Sequence, residues 1–513
     1  MKKDGDSQAM ISESQSPPEK APARRPALSA DKQKLLSLRL KGEAPSAKKQ
    51  DGIGRTVLAE YPLSFAQVRL WFLQNMQLES TTYNEQYLVD FTGALHPVIL
   101  ERSVQTLLSR HQILRMKIRE DNGNLSQTIG PELPDILEMI DLSGAPPEAQ
   151  AVVAANILSA DQAIAFDLRS GPLLRLRLIR RGPEENRLIL SFHHIVVDGW
   201  SMGIFIKEMA ECYRAFLARA VPSLPSLAIQ YTDYAVWQRE WRKGAEGLRQ
   251  LAFWKDRLHG FQELALPNDC EGDAERTGSG AFVSAFLPGE AELSAAAGRS
   301  GASLYMLCLA ALYAVLHRHS NQDDLILGTV IANRNRIEVE GLMGFFVNSI
   351  GLRIRVERDE SFAGLLSKVK EAMSLAQSNQ DLPFELVVAG VKPKRELNRN
   401  PIFDVAFIFQ NGGLPELRLP YLGIRIADNN MDKAKFDLCL VATLKDGGME
   451  LILVYRKSLF REATAAALLR HFMTVLEAGA SAPSTLLGAL DISHGLRQAD
   501  HSGFARDFEF DIR

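Results

Sequence analysis

The chain has 513 residues, 46% of them hydrophobic and 24% charged, with a formal net charge of -3 at pH 7. That length supports about two to four domains with sizeable cores, and the near-neutral balance gives no electrostatic reason to expect nucleic acid or an anionic membrane as a partner. Four scattered cysteines (Cys212, Cys270, Cys308 and Cys439) have neither metal-ligand spacing nor a disulfide pattern, so a reducing cytoplasm is the expected setting. No apolar signal core opens the sequence, no glycine-rich nucleotide loop occurs, and the longest apolar stretch, 304–316, is too short to span a bilayer.

Residues 1–28 are rich in Ser, Pro, Lys, Glu and Gln and are expected to be a disordered tail. Residues 29–60 read either as a tethered tail or as a docking element: a short leucine-bearing helix over 30–40, then a basic strand-forming segment with Lys48, Lys49 and Arg55. From Leu63 onward, helical and strand-like periods alternate. A helix is predicted over 100–114, strands over 173–180 and 188–195, and a helix continuing over 207–217. After a polar connection at 268–279 the alternation resumes. It gives a helix over 303–319, a strand over 325–331, a helix over 362–378, and strands near 403–409 and 435–455. The pattern predicts an α/β fold of two lobes, 61–267 and 268–490, followed by a polar tail, 491–513.

The segment Ser191-Phe192-His193-His194-Ile195-Val196-Val197-Asp198-Gly199-Trp200-Ser201 carries the most chemical information. It sets two histidines where a buried strand gives way to a turn and a helix, a place where scaffolds hold reacting groups. One imidazole there can take a proton from a nucleophile, while Asp198, held by a cation, keeps the turn rigid. A histidine at a strand end is also commonly a satisfied structural group, so the pair alone does not decide between the two.

Further segments decide more. In chain order they are Leu63-Ser-Phe-Ala-Gln-Val-Arg-Leu-Trp71, Arg110-His-Gln-Ile-Leu-Arg115, Tyr231-Thr-Asp-Tyr-Ala-Val-Trp237, Met343-Gly-Phe-Phe-Val-Asn-Ser349, Asn379-Gln-Asp-Leu-Pro-Phe-Glu385 and Arg399-Asn-Pro-Ile-Phe403. In this order, with the His-His-Ile-Val-Val-Asp-Gly segment between the second and third, the chain resembles the condensation domains of nonribosomal peptide synthetases over roughly 61–490.

The resemblance implies two chloramphenicol acetyltransferase-like lobes forming a V-shaped pseudo-dimer, with carrier proteins approaching opposite faces. It implies transfer of a thioester-bound acyl or peptidyl group to an amine or hydroxyl, and a catalytic segment of His194, Asp198, Gly199 and His193. His194 is then the proton acceptor and His193 a structural neighbour. Asp198 is implied to be a buried salt-bridge partner, with Arg69 the first candidate cation and Arg115 the second. Gly199 is expected to allow a tight turn and leave its N–H open to the thioester, and Asn348 and Ser349 to close a tunnel floor or pack the lobe junction. Trp200 after Asp-Gly fits a condensing member rather than an epimerising one.

No cofactor or metal is expected to bind directly; the substrate rides on the phosphopantetheine of a separate carrier protein. Without carrier, adenylation or thioesterase signatures the chain is expected to be a free-standing, monomeric enzyme. Its donor is an acyl or peptidyl carrier protein, met through an acidic C-terminal peptide of an upstream protein, and chain release to a diffusible amine or alcohol is the leading expectation. Elongation onto a second carrier is the nearest alternative. An acyl-CoA-dependent acyltransferase and an inactive binding module are further ones.

Overall fold

The computed structural model describes residues 52–269, 278–394, 399–410, 418–419, 422–428, 433–490 and 492. The chain divides into Met1–Gly52 and Ile53–Arg513, and the architecture below concerns the second unit. Lys48, Lys49, the helix expected at 30–40 and the 493–513 tail all lie outside the described residues.

Fifteen strands are described. They are β1 (Tyr61–Pro62), β2 (Asn84–Gly93), β3 (Met116–Asp121), β4 (Asn124–Ile129), β5 (Leu137–Asp141), β6 (Leu174–Arg180), β7 (Glu185–His193) and β8 (Gly280–Pro288). The rest are β9 (Asp324–Ile331), β10 (Asn348–Arg355), β11 (Val405–Gln410), β12 (Arg418–Leu419), β13 (Leu422–Asp428), β14 (Leu438–Lys445) and β15 (Gly448–Arg456). One six-stranded sheet runs β12-β13-β2-β7-β6-β5 and a second runs β10-β9-β11-β14-β15-β8, with a small sheet β1-β4-β3 beside them. Each large sheet centres one lobe.

Local chemistry sets several of these elements. Asn122-Gly123 and Asp446-Gly447 both take positive φ and make the two-residue turns that join β3 to β4 and β14 to β15. Ser64 caps the helix Phe65–Met76 in a reciprocal capping box with Gln67, and Ser303 caps Leu304–Ser320. That second helix is apolar on all sides and buried along most of its length, as a core helix must be. Among the described residues no single helix is long and apolar enough to cross a membrane.

The lobes are not contiguous halves of the sequence, which corrects the boundary expected at 267/268. Trp254 and Leu258 belong to the second lobe's core, whereas Val339, Leu342, Met343, Phe345, Phe346 and Leu422 belong to the first. β13, from the second half, pairs antiparallel with β2 from Leu422 opposite Gly93 to Asp428 opposite Tyr87, extending the first lobe's sheet. Periodicity reports that a segment is a strand but not which sheet takes it. The expected docking stretch is also trimmed: Ile53 is buried in the first core and Thr56 N–H donates to Asp233 at 2.7 Å, so 53–60 is part of the lobe. At the other end, Ile492 is buried in the second core, beyond the expected boundary.

Close packing at the centre of the second sheet gives a direct test. A Cβ on Gly328, in β9, would fall 2.0 Å from the Phe403 ring. Gly328→Ala should therefore cost about 1–3 kcal/mol in urea unfolding by overpacking, and unchanged stability would contradict this packing.

Candidate active site

β2 and β7 run antiparallel with Asn84 opposite His193 and Glu85 opposite Phe192, and His194 N–H donates to Tyr83 O at 2.8 Å. The end of β7 is thereby fixed against β2, and the chain turns through Ile195–Val197 into the helix Gly199–Leu217. The two histidines leave this point in different environments.

His193 is fully buried. Its Nδ1 accepts from Ile195 N–H at 3.1 Å, so Nε2 carries the proton and faces Gln74 Oε1 at 3.4 Å. Burial, reinforced by the neighbouring His194, pushes its pKa down to about 3. His193 is thus a neutral structural ring.

His194 keeps 16% of its side chain exposed. Nδ1 lies 2.7 Å from Val197 O, which can only accept, so Nδ1 carries the proton and Nε2 presents its lone pair. The Phe345 ring packs against it with centroids 4.7 Å apart. Burial pushes its pKa below the usual imidazole value, opposed by the Glu85 carboxylate 3.7 Å from Nε2. A neutral ring with a free nitrogen is what proton acceptance requires.

Asp198 is buried and its cation is Arg334, not Arg69 or Arg115. Arg334 Nη2 lies 3.1 Å from Asp198 Oδ1, with side-chain exposures of 2% and 0%. Asp198 also caps the helix Gly199–Leu217 by accepting from Ser201 N–H, and Oδ2 accepts from Phe346 N–H. Arg115 instead donates to Leu108 O and Gly130 O, bracing the turn into β3, and Arg69 sits over the Phe384 ring at 5.4 Å. Arg334 follows β9 in the run Asn333-Arg334-Asn335-Arg336, which none of the sequence motifs above includes. A guanidinium directly after an apolar strand is the one signal the sequence offers for it.

Gly199 is the first residue of its helix, without positive φ, and a Cβ there would meet nothing within 4 Å. The expected tight-turn role is therefore corrected: the residue borders open space. Beside it, Trp200 Nε1 donates to Glu340 O at 3.0 Å, tying the start of the helix to the 339–346 segment. Asn348 spends its amide on backbone, donating to Gln380 O and Leu382 O and accepting from Phe384 N–H and Ser349 N–H. It holds the start of the helix Phe384–Val391, and Ser349 pairs with Val330 within the sheet. Arg55 is exposed. Among the described residues no cluster of His, Cys, Asp and Glu is arranged to hold a metal ion.

Residues 57–499 match the family model for the condensation domain. The chain belongs to the condensation domain family. It is 41% identical to one of the proteins of the linear gramicidin synthase of Brevibacillus parabrevis, over 82% of this chain and 8% of that protein. It is 35% identical to the phosphinothricin tripeptide synthetase of Streptomyces viridochromogenes over 84% of this chain and 40% of that one. The chain thus spans less than half the length of these relatives.

Among solved structures, the X-domain from teicoplanin biosynthesis superposes with a TM-score of 0.78 at 26% identity, covering 86% of this chain and 99% of that one. The starter condensation domain of rhizomide synthetase gives 0.74 at 18% identity, covering 84% and 97%, a likeness of fold. Condensation domains of nonribosomal peptide synthetases are acyltransferases that work with carrier-protein partners, and the placement of His194 fits that chemistry.

The Asp198–Arg334 pair yields a prediction. Asp198→Ala or Arg334→Ala alone should each cost about 3–5 kcal/mol by leaving a charge buried without its partner. The Asp198→Ala/Arg334→Ala double variant should lose clearly less than the sum of the two single losses, as read by urea unfolding. Additive losses would contradict a direct pair.

Proposed function

We propose that this condensation domain transfers an acyl or peptidyl group from the phosphopantetheine thioester of a carrier protein to a diffusible amine or alcohol, releasing the chain as an amide or ester. The nucleophile attacks the thioester carbonyl, and its proton moves to Nε2 of His194. The tetrahedral centre collapses with cleavage of the C–S bond, and the departing thiolate takes up the proton from the imidazolium. The observation that carries this reading is the partly exposed His194 ring, tied through Nδ1 to Val197 O and free at Nε2. An amine is already partly neutral near its pKa of about 8, so orientation contributes most for that acceptor, whereas an alcohol asks more of the base.

His194→Ala should lower transfer by about 10²–10⁴-fold with the fold intact, followed by intact-mass spectrometry of the carrier-bound donor and of the product. Wild-type rates in this variant would contradict the role of the ring. Free acceptors compared with acceptors loaded on a second carrier separate release from elongation in the same assay.

A second reading follows from the structural neighbour, since the teicoplanin X-domain is known in complex with OxyB from the same biosynthesis. In that reading this chain recruits another enzyme and performs no transfer. Turnover by the wild type that His194→Ala abolishes discards it.

The residues before the lobe, with Arg55 at its edge, are proposed to dock an acidic C-terminal peptide of an upstream protein, an idea supported by Lys48, Lys49 and the exposed Arg55. Removing residues 1–52 leaves Ile53 seated in the first core. That truncation, combined with Arg55→Ala, should slow transfer from a separate donor carrier at low concentration and recover at high concentration. Equal rates at low concentration would remove the docking role.

A further inference from the structure

Glu85 is a buried carboxylate at the reacting centre to which neither the sequence motif nor the proposed transfer assigns a role. It stands on β2, with its Oε1 2.5 Å from Lys435 Nζ and 3.7 Å from His194 Nε2. Its side chain is 8% exposed. A carboxylate is not placed in so dry a position at no cost: burial alone would neutralise it. Here burial pushes its pKa up, but Lys435 first, and His194 and Lys433 after it, bring it down to about 2. It is therefore ionised throughout the working range of the enzyme.

The separation to His194 has a specific consequence. At 3.7 Å no hydrogen bond forms while Nε2 is unprotonated, so the lone pair stays available to a nucleophile. Once Nε2 takes a proton, the imidazolium faces a fixed negative charge in a site of low polarity, where such an interaction is far stronger than in water. The carboxylate thus interacts more favourably with the protonated ring formed during transfer than with the resting ring, which is the condition for an acceleration. The three groups come from different parts of the chain: Glu85 from β2, His194 from the turn after β7, and Lys435 from the segment entering β14.

We propose that Glu85, held in place by Lys435, is the positioning residue that stabilises the protonated form of His194 during acyl transfer. This rests on the reading of His194 as proton acceptor. The charged and titratable groups facing the ring are Glu85 on β2, Lys435 before β14, and His193 and Asp198 on its own segment, with Lys433 acting on Glu85. Of these, Glu85 and Asp198 raise the basicity of His194 while Lys435 and burial lower it, and Asp198 is engaged by Arg334.

Two isosteric or charge-keeping variants and one cation removal test it. The pH dependence of kcat and the nitrogen NMR titration of the His194 ring in the resting protein should respond together. In Glu85→Gln, which removes the charge, the ring titration and the acidic limb of kcat should both move to lower pH by about one unit, with the plateau about tenfold lower. Glu85→Asp keeps the charge and should leave the limb near its wild-type position. Should Glu85→Gln not fold, Lys435→Met leaves the carboxylate in place and should move the ring titration upward. A ring titration or acidic limb that Glu85→Gln leaves in place, or one that Lys435→Met leaves in place, overturns the proposal. Full activity in His194→Ala would overturn the underlying reading instead, while the ring titration still reports whether the coupling exists.

Discussion

The buried ion pair between Asp198 and Arg334 is the constraint on which the active-site geometry depends. Taking both charges out of water is expensive, and the attraction offsets that cost only when the remaining donors and acceptors are also satisfied. Here nearly all are: Arg334 reaches Val339 O, Leu342 O and Ser201 Oγ in addition to the carboxylate, and Asp198 holds the N–H groups of Ser201 and Phe346. Only Arg334 Nε lacks a partner. A lysine could not serve, because a point charge has no rigid planar fork to reach these acceptors together. The Arg334 guanidinium also lies over the Phe346 ring at 4.2 Å, adding an aromatic face to its ionic contact.

Around that pair, the turn bearing His194 is joined to the second half of the chain at several points. Ser201 Oγ donates to Gly344 O, Trp200 to Glu340 O, and Tyr231 OH to Phe345 O. Gly344 is at φ +151, and a Cβ there would fall 2.0 Å from the Tyr231 ring, so this loop packs against Tyr231 as closely as a backbone can. Phe345, placed by these contacts, is the residue that packs on His194. β13 adds a whole strand from the second half to the sheet that ends in the catalytic turn. The turn bearing His194 is thus braced by segments of the second half of the sequence that pack in the first lobe.

What the sequence discloses follows from which forces are local. The turn after an apolar strand, the Asp-Gly pair and the helix that follows are set within a dozen residues, so the local structure of the His193–Ser201 segment is readable. Phe362–Gln377 is readable because burial of one face imprints a period on it, and Leu304–Ser320 because its apolar run is too long for a strand. Pairing across the chain leaves no such imprint. The sequence favours Arg69 and Arg115 over Arg334, although all three are arginines near apolar runs, because only the tertiary fold brings one of them to Asp198. Glu85 lies in a stretch to which no element is assigned from the sequence, and its place beside His194 shows only once β2 is laid against β7. The lobe boundary fails for the same reason, since β13 and the 339–346 segment pack with the opposite core.

The central claim is that the resting enzyme offers a neutral His194 whose Nδ1 is protonated and bound to Val197 O while Nε2 stays free. Nitrogen chemical shifts of that ring, measured at neutral pH in the wild-type protein, report it without turnover or substrate. A protonated Nδ1 and an unprotonated Nε2 are predicted. A proton on Nε2, alone or in an imidazolium, would contradict the account.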